Sequence, residues 1–343
     1  MARADHYAIL LAINYYPGLR DLCGPENDIG AFEEWLAQPD GGDLPPANIR
    51  VIKSSTFAKV VDPGDANPTE TEFKRALNTL VKDETRSWRT RAGERLYVYM
   101  AGHGFTAGAA ITDPALFSAV AQNGDTAHIA GYRYAAKLAT AGFFDEIVLV
   151  MDCCQDVLKA SLVLEPTWSP PDRNKAAYVK LLQAYGAPRG QAAYERDDEK
   201  GKKRGLFSRV LIQALKTALP DDQGFVTGQT LKNQFLQLWG DQYRRETGYD
   251  PPILPPAGVD IRLCRRGPNA AQALPPVLFT VRPPVPADGV LQISGGGGTL
   301  LQIPVTGLGP QHLAPGLYKA VLSGTERTRL FEVTGTGSPP VDL

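Results

Sequence analysis

Three apolar runs frame the chain: Tyr7 to Ile13, Leu96 to Met100 and Ile147 to Met151. Each is continuous rather than alternating, as in strands buried on both faces of a parallel sheet. Each also stops abruptly, on NYYPG, on AGHGF and on DCCQD. Helical spacing fills the intervals. After Leu22, the segment CGPENDIGAFEEWLAQ offers a turn, an Asn/Asp capping pair at Asn27 and Asp28, and apolar Ile29, Phe32, Trp35 and Leu36 on one face. A short strand, IRVIKS, starts at Ile49, and a capped amphipathic helix starts near Thr69. Residues 105–125 read as a surface loop with one short strand at ALFSAV, and a further helix starts near Tyr132. The alternation predicts an α/β fold, a mostly parallel sheet flanked by helices.

Beyond Cys154 the prolines of TWSPPDRN exclude helix, and AYVKLLQAYG predicts another strand. ERDDEKGKKR, residues 195–204, is almost wholly charged and predicts an exposed, mobile loop. Two amphipathic helices follow, from GLFSRVLIQALKTAL and TGQTLKNQFLQLWGDQY, then a last strand ending near Cys264. These elements place a first domain at 1–266. GPNAAQALPP, 267–276, has linker composition. From 277 to 343 about five short strands separated by Gly/Pro turns predict a small β-sandwich or barrel. GGGG at Gly295 has no following helix and no Lys-Ser/Thr, so it predicts a hairpin loop and not a phosphate cradle.

Composition narrows the partners. The formal net charge is −1, which gives no electrostatic pull toward nucleic acid or anionic membrane. The expected partners are therefore proteins or peptides. No run reaches transmembrane length, and the N-terminal apolar stretch continues into a turn without a cleavage-site pattern. Four cysteines, two of them adjacent, make no disulfide framework. A cytoplasmic location is expected.

The candidate chemistry gathers at the strand ends, where open α/β sheets carry their sites. A cysteine hydrolase needs a thiolate, an imidazole to move protons and backbone N–H groups to hold an oxyanion. Of four histidines, His103 alone ends a buried strand, between Gly102 and Gly104. It precedes Cys154 by about 50 residues, a separation known from caspase-type enzymes. Cys153 alternates with Cys154 and should point into the sheet.

YMAGHGF and LVMDCCQD resemble the histidine and cysteine boxes of the caspase-like clan of cysteine peptidases, most closely its metacaspase and bacterial orthocaspase branch. AILLAINYYPGLRDLCGPENDIGAF is similar to that branch's first strand and Asn-Asp box, and GLFSRVLIQAL to the helix that begins its small-subunit portion. The likeness spans roughly residues 6–265 and leaves the C-terminal domain outside. It implies a large portion to about 195, the charged linker 195–204 and a small portion 205–266. It further implies that Cys154 attacks, that His103 is the acid/base, and that the N–H groups of Gly104 and Cys154 form the oxyanion hole. Stress, cell-death or defence roles follow by analogy with the branch.

A pocket for a basic side chain needs carboxylates at its floor, because a buried cation without a partner is costly. Asp152 faces the same side as Cys154, and the resemblance pairs it with Asp28, predicting cleavage after Arg or Lys. Asp125 is a third candidate acid. Lys200, Lys202, Lys203 and Arg204 would suit self-cleavage. No metal or cofactor is expected. Calcium activates some metacaspases, but DDQGFVT lacks the alternating acids and closing glutamate of a calcium loop. Gln155, Asp156 and Val157 differ from the His-Ser-Gly that usually follows the nucleophile, and an acid so near a thiol raises its pKa. That departure favours one rival reading, a catalytically silent caspase-fold scaffold. The other rival is a peptidase that cuts after Asp.

Overall fold

The computed structural model describes residues 3–107, 113–158, 162–198, 200–221, 223–266, 277–284, 286, 288–295, 298–311, 313, 316–333 and 340–343. The linker expected at 267–276 lies outside the described residues. In chain order the first elements are β1 (His6–Ala12), α1 (Pro25–Ala37), β2 (Ile49–Lys53), α2 (Glu70–Val81) and β3 (Gly93–Ala101). Then come β4 (Gly104–Thr106), β5 (Pro114–Phe117), β6 (His128–Ile129), α3 (Gly131–Ala141), β7 (Phe144–Asp152), β8 (Asp156–Val157) and β9 (Lys180–Tyr185). β10 (Glu195–Asp197) and β11 (Lys203–Gly205) lead into α4 (Leu206–Thr217). β12 (Phe225–Thr227), α5 (Gly228–Gln242), α6 (Arg244–Thr247), β13 (Ile253–Leu254) and β14 (Arg262–Arg265) follow. The last strands are β15 (Phe279–Thr280), β16 (Val290–Gly295), β17 (Gly298–Pro304), β18 (Gly316–Leu322), β19 (Thr328–Val333) and β20 (Val341–Asp342).

Residues 1–212 and 248–264 form one compact unit. Its centre is a six-stranded sheet in the order β13-β9-β7-β3-β1-β2, parallel except for β13. The predicted α/β class is what is found, with helices flanking a parallel-rich sheet and further antiparallel sheets beside it. Register follows from the matched lengths of the three central strands. Ala12 pairs with Ala101, and Ala101 with Asp152, so the strands end level. One face of β1, β3 and β7 packs on Phe73, Leu77, Tyr134 and Leu138 of α2 and α3. The other carries α1, where Phe32 and Trp35 meet Tyr97 and Tyr99. Each large side chain so buried contributes roughly 1.5–3 kcal/mol.

Two local expectations change. α1 begins at Pro25 after Gly24, and no side chain caps it, so Asn27 and Asp28 lie within its first turn. Asn27 instead donates from Nδ2 to the Cys23 and Lys203 carbonyls at 3.0 and 2.9 Å. α2 does carry the expected cap: Thr69 N–H donates to Glu72 Oε2 at 2.8 Å. The charged block is an antiparallel hairpin, with Arg196 opposite Arg204. Asp198 Oδ1 turns it by accepting the Lys200 and Lys202 N–H groups, each at 2.9 Å. Charge density forbids burial of the whole block but not pairing of its backbone.

Residues 213–247 and 265–343 form the second unit. It holds an antiparallel sheet in the order β17-β16-β18-β19 and a parallel pair, β15-β20, around Val277, Leu291, Ile293, Tyr318 and Phe331. Gly295 and Gly298 face each other across the β16–β17 hairpin. No described helix is long and apolar enough to cross a membrane.

Candidate active site

The level ends of β3 and β7 determine what the next residues can do. His103 stands two residues past Ala101, and Cys154 two past its partner Asp152, on adjacent strands about 4.8 Å apart. The flanking glycines are required by close packing. A Cβ at Gly102 would stand 2.4 Å from the Tyr16 hydroxyl oxygen, and one at Gly104 would stand 2.6 Å from Cys153 Sγ. Cys153 is buried and fills this space.

His103 is fixed on two sides. Its backbone N–H donates to the Tyr16 hydroxyl at 3.1 Å, and the two rings lie 4.9 Å apart. Nε2 donates to the Arg20 carbonyl at 2.7 Å. A ring nitrogen facing a carbonyl is satisfied only as a donor, so Nδ1 is the basic nitrogen. The partly buried Cys154 Sγ accepts the Ala193 N–H at 3.3 Å. Burial raises the thiol pKa; the Ala193 contact opposes this, while Asp156 and Asp152 add to it. At rest the group is a thiol that needs a base. Gln155 takes a structural part: buried, it donates from Nε2 to the Ala187 carbonyl at 2.5 Å and from its backbone N–H to the Gln191 carbonyl at 3.0 Å. It thereby anchors the segment that leads to Ala193.

The acids are held by the segment from Arg204 to Ser208. Asp28 is fully buried; its Oδ1 accepts Arg204 Nε at 2.5 Å, and its Oδ2 accepts the Gly205 N–H at 2.8 Å. Asp152 Oδ2 accepts the Ser208 hydroxyl at 2.5 Å and the Ser208 N–H at 3.3 Å. Its Oδ1 lies against Gly186, where a Cβ would come within 2.5 Å, and it accepts no hydrogen bond among the described residues. Gly205 sits between the two carboxylates: a Cβ there would be 2.3 Å from Asp152 Oδ2 and 3.0 Å from Asp28 Oδ2. Burial, then the neighbouring Asp152 charge, push the Asp28 pKa up to about 8, although Arg204 and the Gly205 N–H pull the other way. Burial also raises Asp152, to about 6.

One cavity of about 470 Å³ joins these groups, lined by His103, Cys154, Asp28 and Asp152 together with Arg20, Cys23, Glu195 and Gly205. The four principal residues read from sequence are thus brought together. Gly104 is buried at the head of β4 and is not among the described residues lining the cavity. Asp125 lies exposed in a turn, where its backbone pairs with Gln122, and it does not line the cavity either. Lys200 and Lys202 stand at the hairpin tip, Lys203 Nζ meets Asp197 Oδ2 at 3.1 Å, and Arg204 points inward. Sequence reasoning missed Glu195, whose carboxylate accepts the Gly24 N–H at 2.9 Å and the Cys23 N–H at 3.5 Å. It also missed Arg204 as a partner of Asp28. No local pattern marks a contact between residues so far apart in the chain.

Asp5, His6 and Glu94 offer ligand atoms within 4.8 Å of one another at the other end of the sheet, where β1 and β3 start. In DDQGFVT, Asp221 Oδ1 accepts the Gln223 and Phe225 N–H groups at 3.0 and 2.9 Å, which is turn chemistry.

No family model matches the chain. No curated protein matches it either. Among solved structures, caspase-1 from Spodoptera frugiperda is similar over 78% of this chain and 92% of that one, at 13% identity and a TM-score of 0.46. At that level the likeness carries no argument, and the functional reading rests on the residues themselves.

Proposed function

We propose that the chain is a caspase-like cysteine endopeptidase, of the metacaspase or orthocaspase kind, that cuts after Arg or Lys. The observation that supports this is the level register of β3 and β7 together with one cavity lined by His103, Cys154, Asp28 and Asp152. His103 Nδ1 takes the proton of Cys154 as sulfur attacks the substrate carbonyl. The resemblance gives the oxyanion to the N–H groups of Gly104 and Cys154, of which Cys154 lines the cavity. The imidazolium then gives its proton to the leaving amine, and water, activated by His103, hydrolyses the thioester to free the acid and the thiol. The substrate's basic side chain reaches down to Asp28 and Asp152. Lys200 and Lys202 at the hairpin tip and Lys203 beside it are exposed enough for self-cleavage; Arg204, held inward on Asp28, is a poorer site. The C-terminal β-strand region, 277–343, binds a substrate or activator protein, the peptidase portion is 1–266, and the protein works in the cytoplasm in a stress, cell-death or defence pathway.

Two features favour other readings. The raised Cys154 pKa suits a silent scaffold, and a guanidinium already on Asp28 suits a peptidase that takes an acidic residue. Fluorogenic peptides ending in Arg, Lys or Asp, with and without calcium, separate the three. Cleavage after Arg or Lys that is lost in Cys154→Ala is expected. Cleavage after Asp alone, or none under any condition, overturns the proposal.

A further inference from the structure

Of the four carboxylate oxygens at the cavity floor, three are already engaged by the chain itself. Asp28 Oδ1 holds Arg204 Nε at 2.5 Å, Asp28 Oδ2 holds the Gly205 N–H at 2.8 Å, and Asp152 Oδ2 holds Ser208 Oγ at 2.5 Å. Asp152 Oδ1 alone has no hydrogen-bond partner among the described residues. The peptide that joins Arg204 to Gly205 is itself part of the floor, since its N–H bonds Asp28 and Gly205 lies against both acids. The Arg204 side chain is 15% exposed, and it holds Asp28 from outside the cavity lining.

We propose that Arg204 is a specificity-determining residue: by holding Asp28 it leaves one oxygen of the aspartate pair for an incoming cation and makes the pocket prefer lysine to arginine. This rests on the reading of the cavity as a peptidase site for basic residues. A guanidinium is planar and gains most from a bidentate carboxylate or from two carboxylates in its plane. With Asp28 engaged, neither is offered. An ammonium is a compact point charge that a single oxygen satisfies, with water completing its shell. Arg204 also adds a like charge beside any second guanidinium drawn to Asp28.

The test is a pair of peptides that differ only in Lys or Arg before the scissile bond, assayed on the full chain as wild type, Arg204→Gln and Arg204→Lys. The ratio of the two kcat/KM values does not depend on the folded fraction, so partial misfolding of a variant leaves the result readable. Wild type is expected to prefer Lys by about tenfold, and R204Q, which frees Asp28 Oδ1, to shift the ratio toward Arg by about tenfold or more. R204K keeps a cation on Asp28 and should keep the Lys preference. An Arg preference in wild type, or a ratio unchanged in R204Q, overturns the inference while leaving the peptidase reading intact. Cleavage of neither peptide by wild type overturns both.

Discussion

Two buried arginine–carboxylate pairs stand at opposite ends of the central sheet, and they are balanced differently. At the start of the strands Arg95 and Glu146 are cross-strand partners. Arg95 donates from Nε to Glu146 Oε2 at 2.8 Å, from Nη1 to the Tyr97 hydroxyl at 2.9 Å and from Nη2 to the Arg262 carbonyl at 2.7 Å. Lys180 takes the other Glu146 oxygen at 3.0 Å. Charge and hydrogen bonds close on themselves there, and nearby His6 is kept neutral, its pKa pushed down to about 3 by burial and then by Arg95 and Arg3. At the finish of the strands two aspartates share one arginine, both acids are raised, and one oxygen is left over. A closed network holds a fold together, whereas an acid excess beside a cavity and a thiol is an arrangement with a use.

The largest expected effect separates the two pairs by stability. Arg95→Ala leaves Glu146 buried with only Lys180 and should cost roughly 3–5 kcal/mol in denaturant unfolding. Activity per folded molecule should be little changed. Asp152→Asn should do the reverse, keeping stability within about 1 kcal/mol while lowering kcat/KM for basic peptides by roughly 30-fold or more, since a charge partner is lost. Equal losses of stability in both variants would dissolve the contrast. The third effect is in pH. A carboxyl whose pKa is raised on folding binds more protons in the native state, so its contribution to stability is greatest at low pH and is lost as pH rises through the folded value. Wild type should therefore lose unfolding free energy between about pH 4, the ordinary carboxyl value, and the raised values of about 6 and about 8. The slope should flatten in the Asp28→Asn, Asp152→Asn double variant and persist in Arg95→Ala.

Much of this was legible because the frame of the fold is local. Continuous apolar runs located β1, β3 and β7, and the residues that closed them, His103 and Cys154, were the ones brought to the cavity. Amphipathic spacing located α1 to α3. The misplacements share a cause, which is that the deciding contacts are distant in sequence. Asp28 looked like a cap because the pattern of α1 allows one; its partner, Arg204, comes from a hairpin far along the chain. The charged block gave no periodicity, so neither the β10–β11 pairing nor the anchoring of Glu195 on the Gly24 N–H could be read from it. Gln155 and Asp156 drew notice as departures from the resembled motif, and they have separate roles: Gln155 is a buried anchor, while Asp156 is exposed and still raises the thiol.

The central claim is that Cys154 is a nucleophile above a pocket for basic residues. A peptidyl electrophile with Lys at the position that enters the pocket tests it, with the labelled site found by intact mass and peptide mapping. One adduct on Cys154 is expected, absent in Cys154→Ala, strongly reduced in His103→Ala, and not formed by the matched reagent carrying Asp. Labelling of exposed Cys23 alone, or equal labelling by the Lys and Asp reagents, would contradict the account.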